Sequence, residues 1–160
     1  MLFRSRIFGR DSGGLVRAYR TEDAATIVVA LGSVLGTIKD TVDEMRDQGH
    51  RIGVLGVTSF RPFPLAEVRR ILAPAQRVVV LEKALAVGIG GILSANVRMA
   101  LSGVQLHGYT VIAGLGGRPI TRKSLHKLFR EAERDELQPL TFLDLDWTIV
   151  NRVLEREKRE

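Results

Sequence analysis

Small, polar and charged residues stand at the ends of four predicted strands, where their side chains and backbone amides could do chemistry. A guanidinium group beside open backbone N–H groups can bind a carboxylate or a phosphate in a forked geometry. The same groups can equally pair with another protein surface. The candidates for an interface or an anion site are Ser33, Arg61, Glu82, Gly116, Gly117 and Arg118.

These residues follow near-continuous runs of Val, Ile and Leu, which are typical of strands that are buried on both faces. Helical patterns separate the runs, so we expect parallel strands whose carboxyl ends meet at one edge. The fold class predicted is α/β, with three layers: a five-stranded, mostly parallel sheet and helices on both faces. The predicted strands are Thr26–Leu31, Arg51–Val57, Arg77–Glu82, Tyr109–Ala113 and a short edge strand at Thr141–Leu145.

Local signals predict where the intervening helices begin and end. Thr37 and Asp40 resemble a capping box at the start of the first helix, and Gly49 is a suitable stop. Pro64 can open the second helix because proline suits a first helical turn. Thr121 is a candidate N-cap for the helix that follows the fourth strand.

The loop 32–36 after the first strand favours a tight structural turn over a phosphate cradle. It contains Ser33 between two glycines but has neither the G-x-G-x-x-G spacing nor the lysine of a G-x-x-x-x-G-K-[ST] loop. The Gly116-Gly117-Arg118 run is the better anion candidate, although pairing of Arg118 with another domain is favoured over a bound anion.

Glu82 and Lys83 are adjacent at a strand end, so their side chains point to opposite faces and cannot form a simple acid–base pair. One of the two side chains therefore faces the crevice expected at the edge where the carboxyl ends of the strands meet. A buried glutamate there could tune a cofactor, but an ion pair of Glu82 with Arg61 or Arg118 is the favoured interpretation.

No self-sufficient catalytic or metal-binding set of residues is apparent. The histidines are predicted in a turn (His50), a loop (His107) and an outward helical position (His126), without metal-ligand spacing. The serines lack the flanking residues of a nucleophile elbow. The sequence therefore predicts no catalytic, cofactor-binding or metal-binding residues in this chain.

Composition limits the function classes. The 160 residues are 45% hydrophobic, which suits one domain. We divide the chain into a linker at residues 1–22 and a domain at residues 23–160. The net charge of +6 is spread among acidic residues, with 6% aromatic residues, so nucleic-acid binding is disfavoured. Zero cysteines exclude disulfides and thiolate-held iron–sulfur clusters.

No apolar run approaches the roughly 18 residues of a membrane span, and Met1–Arg20 lacks the apolar core of a secretion signal. We therefore expect a cytoplasmic protein with no membrane partner.

Several motifs together resemble the C-terminal part of the alpha chain of pyruvate:ferredoxin oxidoreductase, also called pyruvate synthase. The resemblance covers nearly the whole chain. It implies a transketolase C-terminal-like domain with a five-stranded, mostly parallel sheet. The motifs are Leu15–Ala24, Val29–Ser33, Phe60–Pro64, Leu81–Lys83 and Gly114–Thr121.

The resemblance implies a complex in which thiamine diphosphate, magnesium and iron–sulfur clusters convert pyruvate to acetyl-CoA and CO2 and reduce ferredoxin. The implied partners are an upstream thiamine-type alpha domain, the beta and gamma/delta chains and, through the complex, ferredoxin. This sequence lacks the Gly-Asp-Gly…Asn diphosphate signature. Met1–Ser5 stands where the family has a connection between domains, so a truncated or artificial start is expected.

Three functions follow as hypotheses. The first is a structural and assembly domain of the oxidoreductase, which is not catalytic alone. The second is a module that binds an anion, CoA or a nucleotide at the Gly116–Arg118 edge. The third is the same domain in an enzyme for another 2-oxoacid, or in a transketolase-like enzyme without ferredoxin.

Overall fold

The computed structural model of the protein describes residue 9 and residues 14–157. Within that part of the chain, strands alternate with helices from β2 onward. The strands are β1 (Val16–Tyr19), β2 (Thr26–Ala30), β3 (Ile52–Val57), β4 (Arg77–Glu82), β5 (His107–Ile112) and β6 (Leu140–Phe142). The helices are α1 (Val34–Asp47), α2 (Leu65–Leu72), α3 (Ile92–Ala100), α4 (Arg122–Glu133) and α5 (Trp147–Glu157), with a short 3-10 turn at Leu115–Gly117.

The strands form one sheet in the order β1-β3-β2-β4-β5-β6. β2 through β6 pair in parallel, and β1 alone pairs antiparallel, with Val16 opposite Val57 of β3. This confirms the predicted α/β fold with a mostly parallel sheet. The predicted count of five strands is wrong, because β1 adds a sixth among the described residues.

β1 has little signal in the sequence. Of its four residues only Val16 is buried, so neither an apolar run nor an alternation marks the strand. It lies within the stretch predicted to be a linker, and Tyr19 ties it to α1 through hydrogen bonds of 2.8 and 3.0 Å to the Asp43 carboxylate. Residues 1–8 and 10–13 of that stretch lie outside the described residues. The division at residues 22 and 23 stays a prediction.

The core has two halves, one on each face of the sheet, because every residue of β2 and β3 is buried. Full burial of an aliphatic side chain is worth about 1.5–3 kcal/mol, so both helical layers are needed to cover the sheet. On one face lie α1 and α4, through Ile38, Val42, Met45, Leu125, Leu128 and Phe129. On the other lie α2 and α3, through Val68, Leu72, Leu93 and Val97.

The first helix begins earlier than predicted. α1 starts at Val34, so the capping box at Thr37 and Asp40 is wrong. Val34 and Leu35 pack against the core, and this tertiary contact extends the helix toward β2. Its predicted end is confirmed, because the helix stops at Asp47 and Gly49 has a φ of +89°.

The predicted starts of two other helices are confirmed. α2 begins directly after Pro64. Thr121 caps α4, with its hydroxyl oxygen accepting from the Ser124 N–H at 3.1 Å.

The last described helix, α5, exposes its apolar side. Trp147 is 60% exposed and Ile149 and Val153 are each 50% exposed. Within residues 14–157, no helix combines the length and the apolar character that a membrane span requires.

Candidate functional site

Four loops lie at one edge of the sheet because β2, β3, β4 and β5 are parallel neighbours. We call the loops 31–33, 58–64, 83–91 and 113–121 the carboxyl edge, since each follows the carboxyl end of its strand. Every candidate residue predicted from the sequence lies in one of these loops or, for Glu82, at the strand end that leads into one. The topology therefore places them on a common edge, as expected for this fold class.

Glu82 is buried at that edge, with 4% of its surface exposed. Its carboxylate accepts hydrogen bonds from the backbone N–H groups of Leu93 at 2.8 Å and Ser94 at 3.0 Å. The residue at the N-cap of α3 is Gly91, which has no side chain to satisfy those donors. Glu82 therefore caps α3 from the neighbouring strand, where the helix dipole also favours a negative charge.

The predicted ion pair between Glu82 and Arg61 or Arg118 is wrong. Both oxygens of the Glu82 carboxylate are taken up by the first turn of α3. Those N–H groups are buried beside the carboxylate, and leaving them unpaired would cost about 1–3 kcal/mol each. Sequence spacing gave no sign of this cap, because strand and helix are separated by a nine-residue loop.

Ser33, Glu82 and Lys83 share a cleft of about 260 Å³ between the β2 and β4 loops. Ser33 occupies the N-cap position of α1 with a φ of −66° and makes no side-chain capping bond. The Lys83 side chain extends to the loop 113–121 and packs against Gly114. A side chain at position 114 would place its Cβ only 3.1 Å from the Lys83 Cε atom. The structure therefore joins three of the four loops around Lys83.

Arg61 lies on one flank of the edge and is held by local contacts. Its guanidinium group donates to the Asn96 side-chain oxygen at 3.2 Å and stacks 4.1 Å from the centre of the Phe60 ring. The contact with Asn96 ties the β3 loop to α3. It also keeps the arginine exposed beside the edge.

Arg118 lies on the other flank and donates to the backbone carbonyl of Asp144 at 2.6 Å. Gly116 and Gly117 both have positive φ, +64° and +76°, which only glycine adopts readily. The cavity beside them, about 270 Å³, is lined by Arg118 at one point and otherwise mainly by apolar side chains such as Ile112, Leu115 and Phe142. An apolar wall does not favour a phosphate, and a role for these residues in an interface or in anion binding stays a prediction.

The carboxyl edge also exposes apolar side chains that the sequence analysis missed. Val87 is 99% exposed and Ile89 is 69% exposed. The available signal was the uncharged run Leu85–Ile89 between a buried strand and a glycine pair. The other exposed apolar side chains in these loops or directly after them are Leu31, Leu65, Leu85, Ile92 and Leu115.

Cations at this edge have no acidic partner among residues 14–157. Arg61, Lys83 and Arg118 form no ion pair with any of residues 14–157. Within the described part of the chain, Arg98 of α3 likewise has no acidic partner and donates to Ser94, through the backbone oxygen and the hydroxyl. Exposed apolar groups beside unpaired cations are features of a protein-binding surface rather than of a solvated loop.

Ion pairs lie away from this edge, and two of them connect α1 with α4. A shallow groove of about 740 Å³ lies between α1 and α4 and contains many charged side chains. Glu44 binds Arg122 at 2.6 Å and His126 at 2.7 Å across it. The hydrogen bond from His126 lowers the pKa of Glu44 below its usual range. This groove is therefore a polar, solvated face whose three glutamates all form ion pairs.

The three histidines contact carboxylates one at a time. His50 lies 2.7 Å from Glu133, and His107 lies 2.6 Å from Asp135. His107 belongs to β5 rather than to a loop, and His126 turns inward toward Glu44, against both predictions. Throughout the part of the chain that the structure describes, no three metal-ligating side chains come together.

An Asp135 cluster holds the opposite edge of the sheet. Its carboxylate accepts from Arg77 at 2.6 and 2.8 Å and from the Tyr109 hydroxyl at 2.8 Å. The Arg77 hydrogen bonds lower the pKa of Asp135 far below its usual range. Burial, with the hydrogen bond to Asp135, raises the pKa of Tyr109 to about 12. This cluster joins the amino ends of β4 and β5 to the end of α4.

Residues 24–125 match the family described as pyruvate:ferredoxin oxidoreductase core domain II. The chain belongs to this family. The fold, the strand-end loops and the match over most of the sheet agree with the family resemblance expected from the sequence.

Relatives with curated descriptions support the same family. The chain is 40% identical to pyruvate synthase subunit PorA of Methanothermobacter thermautotrophicus over 132 residues, which is 82% of this chain and 34% of the relative. It is 39% identical to pyruvate synthase subunit PorA of Methanosarcina barkeri over 148 residues, 87% of this chain and 36% of the relative. The chain thus spans about a third of these relatives.

Solved structures share the fold at low sequence identity. A 2-oxoglutarate:ferredoxin oxidoreductase from Magnetococcus marinus, solved with 2-oxoglutarate, coenzyme A and succinyl-CoA bound, superposes with a TM-score of 0.56 and 16% identity. The match covers 81% of this chain and 21% of that one. A split-gene transketolase in an inactive tetramer gives a TM-score of 0.55 and 18% identity, over 76% of this chain and 42% of that one. These matches confirm a transketolase-like fold.

The residues of the carboxyl edge do not fit thiamine diphosphate with its magnesium ion. Magnesium requires oxygen ligands, usually carboxylates. The carboxylate of Glu82 has both oxygens engaged by α3, and the loops 31–33, 58–64, 83–91 and 113–121 contain no Asp or Glu. A site for this cofactor would need donors from outside these loops.

Proposed function

We propose that this chain is a structural and assembly domain of the alpha subunit of a thiamine-diphosphate-dependent pyruvate:ferredoxin oxidoreductase. The observation that carries the proposal is the carboxyl edge, where exposed apolar side chains lie beside cations that no acidic group within residues 14–157 pairs with. The edge is built for contact with protein and lacks carboxylate donors for the cofactor.

In this proposal the complete complex makes acetyl-CoA, CO2 and reduced ferredoxin. An upstream thiamine-type alpha domain and a beta chain hold thiamine diphosphate and magnesium, gamma/delta chains complete the assembly, and iron–sulfur clusters pass electrons to ferredoxin. A chain with zero cysteines can supply no thiolate for those clusters, so they belong to its partners. The cytoplasmic location expected from the sequence is part of the same proposal.

The role of this chain's own residues is to position loops. Glu82 fixes the start of α3, Arg61 links the β3 loop to α3, and Arg118 links the β5 loop to the segment before α5. These contacts keep the carboxyl edge in one shape before a partner binds. A preformed surface reduces the entropy lost on binding.

Pyruvate is the substrate that we propose for the complex. The relatives at 40% and 39% identity are named pyruvate synthase subunits. A ketoisovalerate oxidoreductase subunit of Pyrococcus horikoshii is 33% identical over 79% of this chain and 33% of its own length. The higher identity to these two pyruvate synthase subunits favours pyruvate, although the corresponding subunit of Pyrococcus furiosus is 32% identical.

Reconstitution tests the proposed function. The chain would be purified alone and also co-expressed with the thiamine-binding, beta and gamma/delta polypeptides of its own organism, and pyruvate-dependent reduction of a viologen dye would be measured with CoA present. We expect no turnover by the chain alone and turnover by the assembled complex. Dye reduction by the isolated chain, or failure of the chain to join the complex, would overturn the proposal.

A further inference from the structure

The loop 83–91 between β4 and α3 presents two apolar side chains to solvent. Val87 at its tip is 99% exposed and Ile89 is 69% exposed, while Leu85 at its base is 39% exposed. We call Leu85, Val87 and Ile89 the apolar knob. Transfer of such side chains from water to a protein interior is favourable by about 1.5–3 kcal/mol each, so their exposure needs a reason.

The knob is held in shape by hydrogen bonds at its neck. Ala86 and Gly90 form a bridge with two backbone hydrogen bonds of 2.8 Å, and the Ile89 N–H donates to the Ala86 carbonyl at 3.1 Å. Glu82 fixes the far end of the loop by capping α3. The knob therefore needs little ordering when it binds, which favours contact with a preformed pocket.

Two cations lie at the base of the knob. Lys83 stands at the start of the loop and the guanidinium of Arg98 reaches back to within 3.9 Å of a Cβ built on Gly90. Neither forms an ion pair with any of residues 14–157, and the loop itself contains no acidic residue. An apolar centre with a positive border is complementary to an apolar groove with a carboxylate border.

We infer that the apolar knob inserts into an apolar groove edged by carboxylates, on the part of the alpha subunit that the relatives carry outside the region shared with this chain. The shared region is 34% of the Methanothermobacter subunit, so about two thirds of that subunit remains to contact it. This inference rests on the proposed function and specifies which loop makes the contact and what chemistry receives it.

The test is a binding measurement with single substitutions. The full chain would be titrated against the purified polypeptide of its own organism that carries the thiamine-binding region, and Kd measured by biolayer interferometry. Val87→Asp and Ile89→Asp should each weaken binding at least tenfold, because each places a charge in an apolar groove beside carboxylates. Met99→Asp is the matched control, since Met99 is apolar, 63% exposed and lies in α3 outside the knob.

Substitutions of Lys83 test the charged border separately. Lys83→Glu should weaken binding more than Lys83→Gln, and added salt should weaken binding of the unaltered chain more than that of Lys83→Glu. An equal effect of the two Lys83 variants would overturn the acidic border.

Other outcomes separate this inference from the proposed function. If the unaltered chain binds and Val87→Asp binds equally well, the knob does not make the contact, whereas the proposed assembly role of the chain is retained. If the unaltered chain does not bind at all, the proposed function fails and the knob fails with it. Melting temperatures of Val87→Asp and Ile89→Asp should stay within about 2 °C of the unaltered chain. A larger fall would show that the knob belongs to the fold and would overturn the inference.

Discussion

Single carboxylates in this protein have structural duties that their positions in the sequence do not reveal. Asp135 follows α4 and receives hydrogen bonds from Arg77, His107 and Tyr109. Glu82 ends β4 and caps α3. The sequence placed Glu82 at the right edge but paired it with the wrong groups, because contacts across a loop depend on backbone geometry that propensity does not encode.

Asp135→Asn should lower the free energy of unfolding at pH 7 by about 1–2 kcal/mol, since it removes the charge from these hydrogen bonds. Asparagine also accepts the φ of +57° at this position, so the substitution tests the charge rather than the backbone. Because folding lowers the pKa of Asp135 below its ordinary 3.8, its extra stability is present above that pH and is lost as pH falls below it.

Urea unfolding between pH 7 and pH 2 measures this effect. The acid-induced loss of stability should be shallower in Asp135→Asn than in the unaltered chain. Asp40→Asn is the control, because Asp40 is exposed on α1. If the Asp135 variant lost stability as steeply as the unaltered chain between pH 7 and pH 2, the lowered pKa of Asp135 would not explain the acid sensitivity.

Glu82→Gln should destabilise the fold by about 1–3 kcal/mol, because an amide presents an N–H₂ group to one of two backbone donors. Thermal unfolding at neutral pH gives the measurement. Glu22→Gln serves for comparison, since Glu22 is exposed in the turn before β2. Equal melting temperatures for the two variants would show that Glu82 does not cap α3.

At the scale of elements, α3 takes its N-terminal cap from a neighbouring strand. Its N-cap, Gly91, has no side chain because a Cβ there would collide with the Glu82 carboxylate and the Ser94 hydroxyl. Gly91→Ala should therefore cost about 1–3 kcal/mol through overpacking. Gly36→Ala in α1 should instead add about 0.5–1 kcal/mol, because nothing lies within 4 Å of a Cβ there and alanine favours the helix.

Chemical denaturation of both alanine variants measures their free energies of unfolding, which should change in opposite directions. Stabilisation by Gly91→Ala, or destabilisation by Gly36→Ala of more than about 0.5 kcal/mol, would contradict the packing described for these helices.

Most elements were predictable because their signals are local. The strands β2 to β5 each contain a run of apolar residues, and Gly49, Pro64 and Thr121 mark helix boundaries by their own chemistry. β1 was not predictable, because a short edge strand with one buried residue takes its structure from its pairing with β3. The carboxyl edge followed from topology, whereas the exposure of Val87 and the engagement of Glu82 depend on how one loop folds back on a helix.

At the scale of the whole molecule, the carboxyl edge combines exposed apolar groups with Arg61, Lys83 and Arg118, which form no ion pair within residues 14–157, and the ion pairs of that part of the chain lie outside its loops. Arg118→Ala should therefore weaken assembly of the proposed complex about tenfold while changing the melting temperature of the chain by less than about 2 °C. Arg134→Ala is the matched control, because Arg134 is exposed and pairs with Glu136 away from the carboxyl edge.

Quantitative co-purification and differential scanning fluorimetry give the two readouts for Arg118→Ala. A fall in melting temperature that matches the loss of assembly would count against an interface role for Arg118 and would assign it to the stability of the domain.

The central claim is that the carboxyl edge is the assembly surface of a domain that is not catalytic alone. Hydrogen–deuterium exchange of the chain, free and within the assembled oxidoreductase, tests this claim most directly. We predict new protection in the loops 31–33, 58–64, 83–91 and 113–121, with little change along the groove between α1 and α4. Protection of that groove with unchanged exchange in the four loops would contradict the account.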